Sequence, residues 1–277
     1  MTILVVCMDL LREAAARRWI VVLMVAVTGI LATIGLALQM EVVDGALAAT
    51  ALFGEPMGED IRSVDIALRP IFLAASQIIF YGGTILGILL CAEFGPNLLS
   101  EGRIEHLLAL PVRRAELLAG TLLGVLALSA AGCLYGTCGL TLILGFKTGY
   151  WTSNLILSGL LAIASFGTIY TAMLVAALFV RGTSFSAAVG AGLLIIGIVA
   201  SHRAELAGLF IPGVGRLLFE LSTAPFPRIS QIGTLAGDLA QTKPIDALLL
   251  TRLVLHQLVF GAAVFAFGVW RFEKKDF

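Results

Sequence analysis

Between Leu117 and Leu144 the chain reads LLAGTLLGVLALSAAGCLYGTCGLTLIL, twenty-eight consecutive residues without a charged side chain. A helix crosses the hydrocarbon core of a bilayer with about 20 mostly apolar residues, since every backbone amide must be satisfied within the segment there. The run therefore predicts a membrane-spanning helix with residues to spare. Four further uncharged runs surround it: Trp19 to Leu38, Pro70 to Cys91, Leu155 to Val180 and the shorter Phe185 to Ser201. A sixth, Leu248 to Trp270, carries only Arg252, near its start, where a long side chain can snorkel to the headgroups. The alternating ten-residue segments of an outer-membrane barrel are absent from the sequence. The expected fold is an all-α membrane protein of six transmembrane helices, one domain over residues 1–277.

The composition agrees. The chain is 59% hydrophobic and only 13% charged, about half the charged share of a soluble domain. Eighteen basic residues face eighteen acidic ones, so no global positive field is available for nucleic-acid phosphates, and nucleic acid is not an expected partner. Cys7, Cys91, Cys133 and Cys138 lie in or beside apolar runs, at spacings that offer neither a disulfide framework nor a metal motif, and read as small buried hydrophobes. An even number of spans places both termini on one side. Arg12, Arg17, Arg18, Arg103, Arg113, Arg114, Arg181, Arg271, Lys274 and Lys275 crowd against span ends on that side, which predicts cytoplasmic termini. Trp19, Trp151 and Trp270 stand at predicted span ends, where aromatic rings favour the interface. Val6 before Cys7 is too large for a lipoprotein cleavage site, so no processing is expected there. Residues 1–18 read instead as an amphipathic helix in the headgroup plane, with Leu4, Met8, Leu11 and Ala15 on its apolar face.

The stretch from Ala92 to Glu116 is too polar for lipid but has helix-forming content and a proline stop. Ile104, Leu107 and Leu108 share one helical face, and Glu101, Glu105 and the Arg113-Arg114 pair supply charge. Two readings fit those residues: a docking element for a cytoplasmic partner, or an ordinary interfacial helix between two spans. The sequence Glu101-Gly102, Glu105, Leu107-Leu108, Pro111-Val112, Arg113-Arg114, with Gly120 opening the next span, resembles the cytoplasmic signature of type 2 ATP-binding-cassette exporter permeases. The amphipathic opening Met8 to Trp19 and the basic tail Arg271 to Phe277 are similar to that family's ends, and its six-span layout covers the chain. Within the family the chain is most similar to the permeases that partner the nitrous-oxide-reductase maturation ATPase. The resemblance implies a coupling helix within residues 93–115, between spans two and three, with Glu101, Gly102, Glu105, Leu107, Leu108, Pro111, Arg113 and Arg114 docking a cytoplasmic ATPase. It implies two copies of that ATPase, which hold the ATP and Mg, and a second copy of this chain or a related permease, in a bacterial inner membrane. Family members often carry Lys after the glycine that opens the third span; here Thr121 follows Gly120.

From His202 to Ala247 runs the longest predicted outer loop, whose apolar pieces Leu206 to Val214 and Leu217 to Leu221 are too short to span. They read as re-entrant or interfacial helices before the last span, a candidate lid over a substrate path, with a disordered surface loop as the alternative. Gln77 and Tyr81, on a polar stripe with Ser76 and Thr84, and Arg252 with His256, four residues apart, are candidates to line that path, the alternative for the last two being a lipid-facing snorkelling Arg and a helix-packing His. The alternative for the stripe, and for Ser158, Ser165, Thr168 and Thr171, is helix-to-helix hydrogen bonding. Gly83 with Gly87, Gly120 with Gly124, Gly132 with Gly136 and Ser186 with Gly190 offer small faces for close packing.

No Walker A motif occurs, and the three histidines fall in separate segments, so neither ATP hydrolysis, nor catalysis, nor a metal site is expected of this chain. No Asp, Glu or Lys lies within any predicted span. Ion-coupled carriers generally need such groups, or broken helices, to bind the driving ion. An external energy source is therefore expected, with a non-transporting membrane scaffold and an ion-coupled carrier as the alternative readings.

Overall fold

The computed structural model describes residues 2–16, 18–43, 46–52, 55–58, 62–100, 102, 113–210 and 213–274. Its helices are α1 (Thr2–Ala16), α2 (Arg18–Ala37), α3 (Val64–Gln77), α4 (Gly83–Cys91), α5 (Phe94–Leu98) and α6 (Arg114–Thr148), followed by α7 (Asn154–Phe179) and α8 (Thr183–Ser201). Three shorter helices, α9 (Arg203–Ala207), α10 (Val214–Thr223) and α11 (Ile229–Ala240), precede the last, α12 (Ala247–Glu273). Among the described residues five helical stretches are long and apolar enough to cross a membrane: Leu68–Leu98, α6, α7, α8 and α12. The pair Ile3–Ala16 and Ile20–Leu36, bent by 70°, passes the same test only when taken together.

One part of the first predicted loop departs from an all-helical chain. Strands β1 (Leu38–Val43), β2 (Ala46–Leu52), β3 (Glu55–Gly58) and β4 (Arg62–Ser63) form a small antiparallel sheet in which β2 pairs with the other three.

A helix that is apolar on all sides belongs in the interior of a bundle, and α7 occupies that position. From Ser165 to Leu178 every residue except Ala172 is buried. Leu68–Leu98 is a single span interrupted by a π turn at Ile78–Gly82, where the Gly83 amide reaches back to the Ile78 carbonyl. At the far end of α6, Gly149 adopts φ +70° and returns its amide to the Gly145 carbonyl at 2.9 Å, a left-handed stop that favours glycine.

The opening helix leaves the face expected in the headgroup plane uncovered by protein and packs its other side on the bundle. Leu4 and Met8 are exposed, and Cys7, Leu10 and Ala14 are the buried positions. They face α6, where a Cβ on Gly120 would stand 2.6 Å from Val6 Cβ and one on Gly124 would stand 3.2 Å from Leu10 Cβ. Both sides of α1 are apolar, so hydrophobic spacing cannot choose between them. The glycine pair on α6 makes the choice, because only there can the two backbones approach so closely.

Candidate functional site

Of the residues expected to dock a partner, Glu101, Glu105, Leu107, Leu108 and Pro111 lie outside the described residues. Their two flanks are described. On the entering side α5 is buried through Phe94, Gly95, Pro96 and Leu98, and the Gly95 backbone lies so near α7 that a Cβ there would be 3.0 Å from Ala177 Cβ. Gly102 then takes φ +80° and is exposed.

On the leaving side Arg113 caps α6: its amide donates to Glu116 Oε2 at 3.4 Å, and Glu116 puts negative charge on the first turn, where the helix dipole favours it. Arg114 turns the other way. Its Nη1 donates to the Phe272 carbonyl at 2.8 Å and to the Glu273 carbonyl at 3.2 Å, and its guanidinium lies 5.8 Å from the Phe272 ring centroid. A cation placed on the orphan carbonyls of a helix C-terminus satisfies them and opposes the dipole. Arg114 thus ties the start of α6 to the end of α12, across 158 residues of sequence.

The polar stripes divide: their serines bond between helices and their threonines back onto their own. Ser76 Oγ and Ser158 Oγ share a buried hydrogen bond of 2.6 Å, and Ser165 Oγ donates to Gln257 Oε1 at 3.4 Å. Thr84, Thr168 and Thr171 each bond a carbonyl of their own helix four residues back. Gln77 and Tyr81, the residues expected along a substrate path, bond α11: Gln77 Nε2 donates to the Gly233 carbonyl at 3.0 Å and Tyr81 OH donates to Ser230 Oγ at 3.3 Å. Gly233 and Gly237 let α11 approach closely enough for this, since a Cβ on either would fall within 2.9 Å of those side chains. This part of the 202–247 loop, which sequence reading did not single out as a helix, is therefore packed into the bundle. Its first turn is fixed from α8, where Ser201 Oγ accepts from the Ser230 and Gln231 amides at 3.0 and 3.3 Å while Gln231 Nε2 donates to the Ser201 carbonyl at 3.0 Å. Ser201 supplies from another helix what an N-cap residue normally supplies from its own.

His256 is half-buried on α12, with Arg203 and Arg228 as its charged neighbours, whereas Arg252 is exposed one turn earlier. Arg228 directs Nη1 to Gln231 Oε1 at 3.5 Å, and partial burial together with the nearby Arg203 lowers its pKa from the usual arginine value. Sequence reading paired His256 with Arg252 by helical spacing and missed Arg203 and Arg228, because they approach from separate elements. Gln257 was missed too; it is buried, and its Nε2 has no hydrogen-bond partner.

Among the described residues no group of three His, Cys, Asp or Glu side chains is placed to hold a metal ion. The four cysteines are free thiols; Cys7 and Cys91 are buried, and Cys133 Sγ donates to the Gly159 carbonyl at 3.5 Å. Thr121, where the resembled permeases often have Lys, is buried and bonded to the Leu117 carbonyl at 2.9 Å. No family model matches the chain, and no curated protein matches it at a significant level.

Proposed function

We propose that the chain is the membrane-spanning permease subunit of an ATP-driven exporter in a bacterial inner membrane, with both termini in the cytoplasm. Residues 93–115 form the coupling element in this reading. The observation that carries it is the mechanical setting of that segment. Its entering flank is packed on α7 by α5, and its leaving flank is fixed to α12 by Arg114 and leads straight into α6. A displacement applied between the flanks is delivered to three spans at once, which is what a lever driven from outside the membrane requires.

Two copies of a cytoplasmic ATPase bind ATP and Mg and close on each other, and a second permease copy completes the transporter. Closure moves residues 93–115 and favours one arrangement of the spans over another through differential contacts with each. The absence of Asp, Glu and Lys from the predicted span interiors supports a fuel supplied by a partner over a driving ion bound in the spans.

The test is to co-express the chain with the ATPase encoded beside it. Glu105→Arg combined with Leu108→Asp should abolish co-purification and permease-stimulated hydrolysis while leaving the permease folded in detergent. Undiminished complex formation by that variant refutes the docking assignment.

A further inference from the structure

The last turns of α12 carry Phe267, Trp270, Arg271 and Lys274 at spacings of three and four, so the four side chains share one stripe of the helix. Phe179, the last residue of α7, closes on that stripe. Its ring stacks on Phe267 with centroids 6.2 Å apart, and Phe267 stacks on Trp270 at 5.8 Å. All three rings are about half exposed. A cation lies on each end of the row: the Arg271 guanidinium is 5.7 Å from the Phe179 centroid, and Lys274 Nζ is 4.4 Å from that of Trp270.

The 27 residues of α12 span about 40 Å, roughly 5 Å more at each end than a 30 Å hydrocarbon core. That excess is about three residues, which puts Trp270 at the edge of the hydrocarbon, Phe267 inside it, and Arg271 and Lys274 at the level of the lipid phosphates. Rings and cations are common at that level and by themselves name no ligand. Here, in addition, both cations are held in place without being neutralised. Contact with a ring fixes a guanidinium through its face and leaves the N–H donors in its plane open to an anion. Among the described residues no hydrogen bond or ion pair takes the donors of Arg271 or Lys274. Their nearest rival acceptors are engaged or averted. The Phe272 and Glu273 carbonyls receive Arg114, and the Glu273 side chain leaves the helix about 200° round from Arg271.

We propose that Arg271 and Lys274 bind the phosphate of an acidic phospholipid, one acyl chain of which lies along the exposed rings of Phe179, Phe267 and Trp270. Charge and surface name the occupant together: the cations call for an anion, and the open rings directly beneath them call for an apolar tail on the same molecule. The site needs only the membrane-spanning helices and stands whether or not the chain is an exporter.

The test uses the purified full-length chain in nanodiscs of equal phosphatidylglycerol and phosphatidylcholine, with retained lipid counted by native mass spectrometry. The wild-type chain should retain phosphatidylglycerol preferentially. Arg271→Gln combined with Lys274→Gln should lower that preference about fivefold per cation, the factor equivalent to about 1 kcal/mol per basic residue at an anionic surface. Phe179→Leu keeps both charges but removes the ring under Arg271; it should lower the preference about two- to fivefold, the equivalent of an exposed cation–π contact. Equal retention of the two lipids by the wild-type chain, or an unchanged preference in the double variant, overturns the site. An unchanged preference in Phe179→Leu would reduce it to diffuse attraction by surface charge and overturn it equally. Should the double variant fail to fold, Lys274→Gln, at an exposed position, must show its single factor, and its failure to do so is decisive. In nanodiscs of phosphatidylcholine alone, inorganic phosphate should not raise the thermal midpoint; a rise that Lys274→Gln loses would assign the site to a free anion and overturn the lipid assignment.

Discussion

Three glycines of α6 allow the packing of the first two helices to be measured by one repeated substitution. A Cβ at Gly120 would stand 2.6 Å from Val6 Cβ, 2.8 Å from Val6 Cγ1 and 3.0 Å from the Ile3 carbonyl oxygen. Carbon atoms rest at about 3.5–4.0 Å, so Gly120→Ala overlaps Val6 by about 1 Å. Rotation of the side chain cannot relieve that overlap, because Val6 Cβ and Ile3 O move only with the backbone of α1. Overpacking of this kind costs about 1–3 kcal/mol, against a helix-propensity gain of up to about 1 kcal/mol for replacing glycine by alanine. The net expectation is a loss of up to about 2 kcal/mol and loosening of α1. At Gly139 the nearest atom is Leu31 Cδ1 at 2.5 Å, the tip of a flexible side chain that can turn away. Gly139→Ala should be close to neutral. Nothing lies within 4 Å of a Cβ at Gly132, so Gly132→Ala should be neutral to stabilising. Unfolding in mixed micelles, together with the rate of proteolysis within α1, reads the series. Equal effects at Gly120 and Gly132 would refute the placement of α1 on α6.

Arg114→Gln should lower stability by about 1–3 kcal/mol, the range for hydrogen bonds from a charged donor, and should raise amide exchange at the C-terminal turn of α12 more than elsewhere; hydrogen-exchange mass spectrometry of peptides covering 265–274 checks it. For the buried Ser76–Ser158 pair, each single alanine replacement should cost about 1 kcal/mol by leaving one hydroxyl unpaired, whereas replacing both should cost less than the sum. A double-mutant cycle of unfolding free energies decides this, and strict additivity would show that the hydroxyls do not bond.

What was legible in the sequence was dictated by lipid. The run from Leu117 to Leu144 falls inside α6, and Leu155 to Val180 nearly coincides with α7, because a charge-free stretch of that length has few other places to go. The helices run a little further than the runs do, since Arg114 and Lys147 can sit at the ends where water begins. Contacts settled by geometry between distant segments were not legible. Periodicity could not choose the buried side of α1, nor could it show that Arg114 caps a helix 158 residues away. The twelve residues of α11 carry too little apolar length to stand out, and their burial depends on Gly233 and Gly237 meeting Gln77 and Tyr81. At the candidate site, helical spacing placed His256 with Arg252, while its charged neighbours Arg203 and Arg228 arrive through the chain reversals around α9, α10 and α11.

The widened turn at Ile78–Gly82 bears on how such a span tolerates changes in chain length. A π turn holds one residue more than the α-helix around it needs, so the halves on either side keep the phase of an uninterrupted helix one residue shorter. Loss of a single residue between 78 and 82 would leave Ser76 facing Ser158 and Ile88 facing the core. The same loss within α7 would swing everything beyond it by about 100° away from its neighbours. Deletions are ordinarily confined to loops; at Ile78–Gly82 this span offers one a place inside a helix.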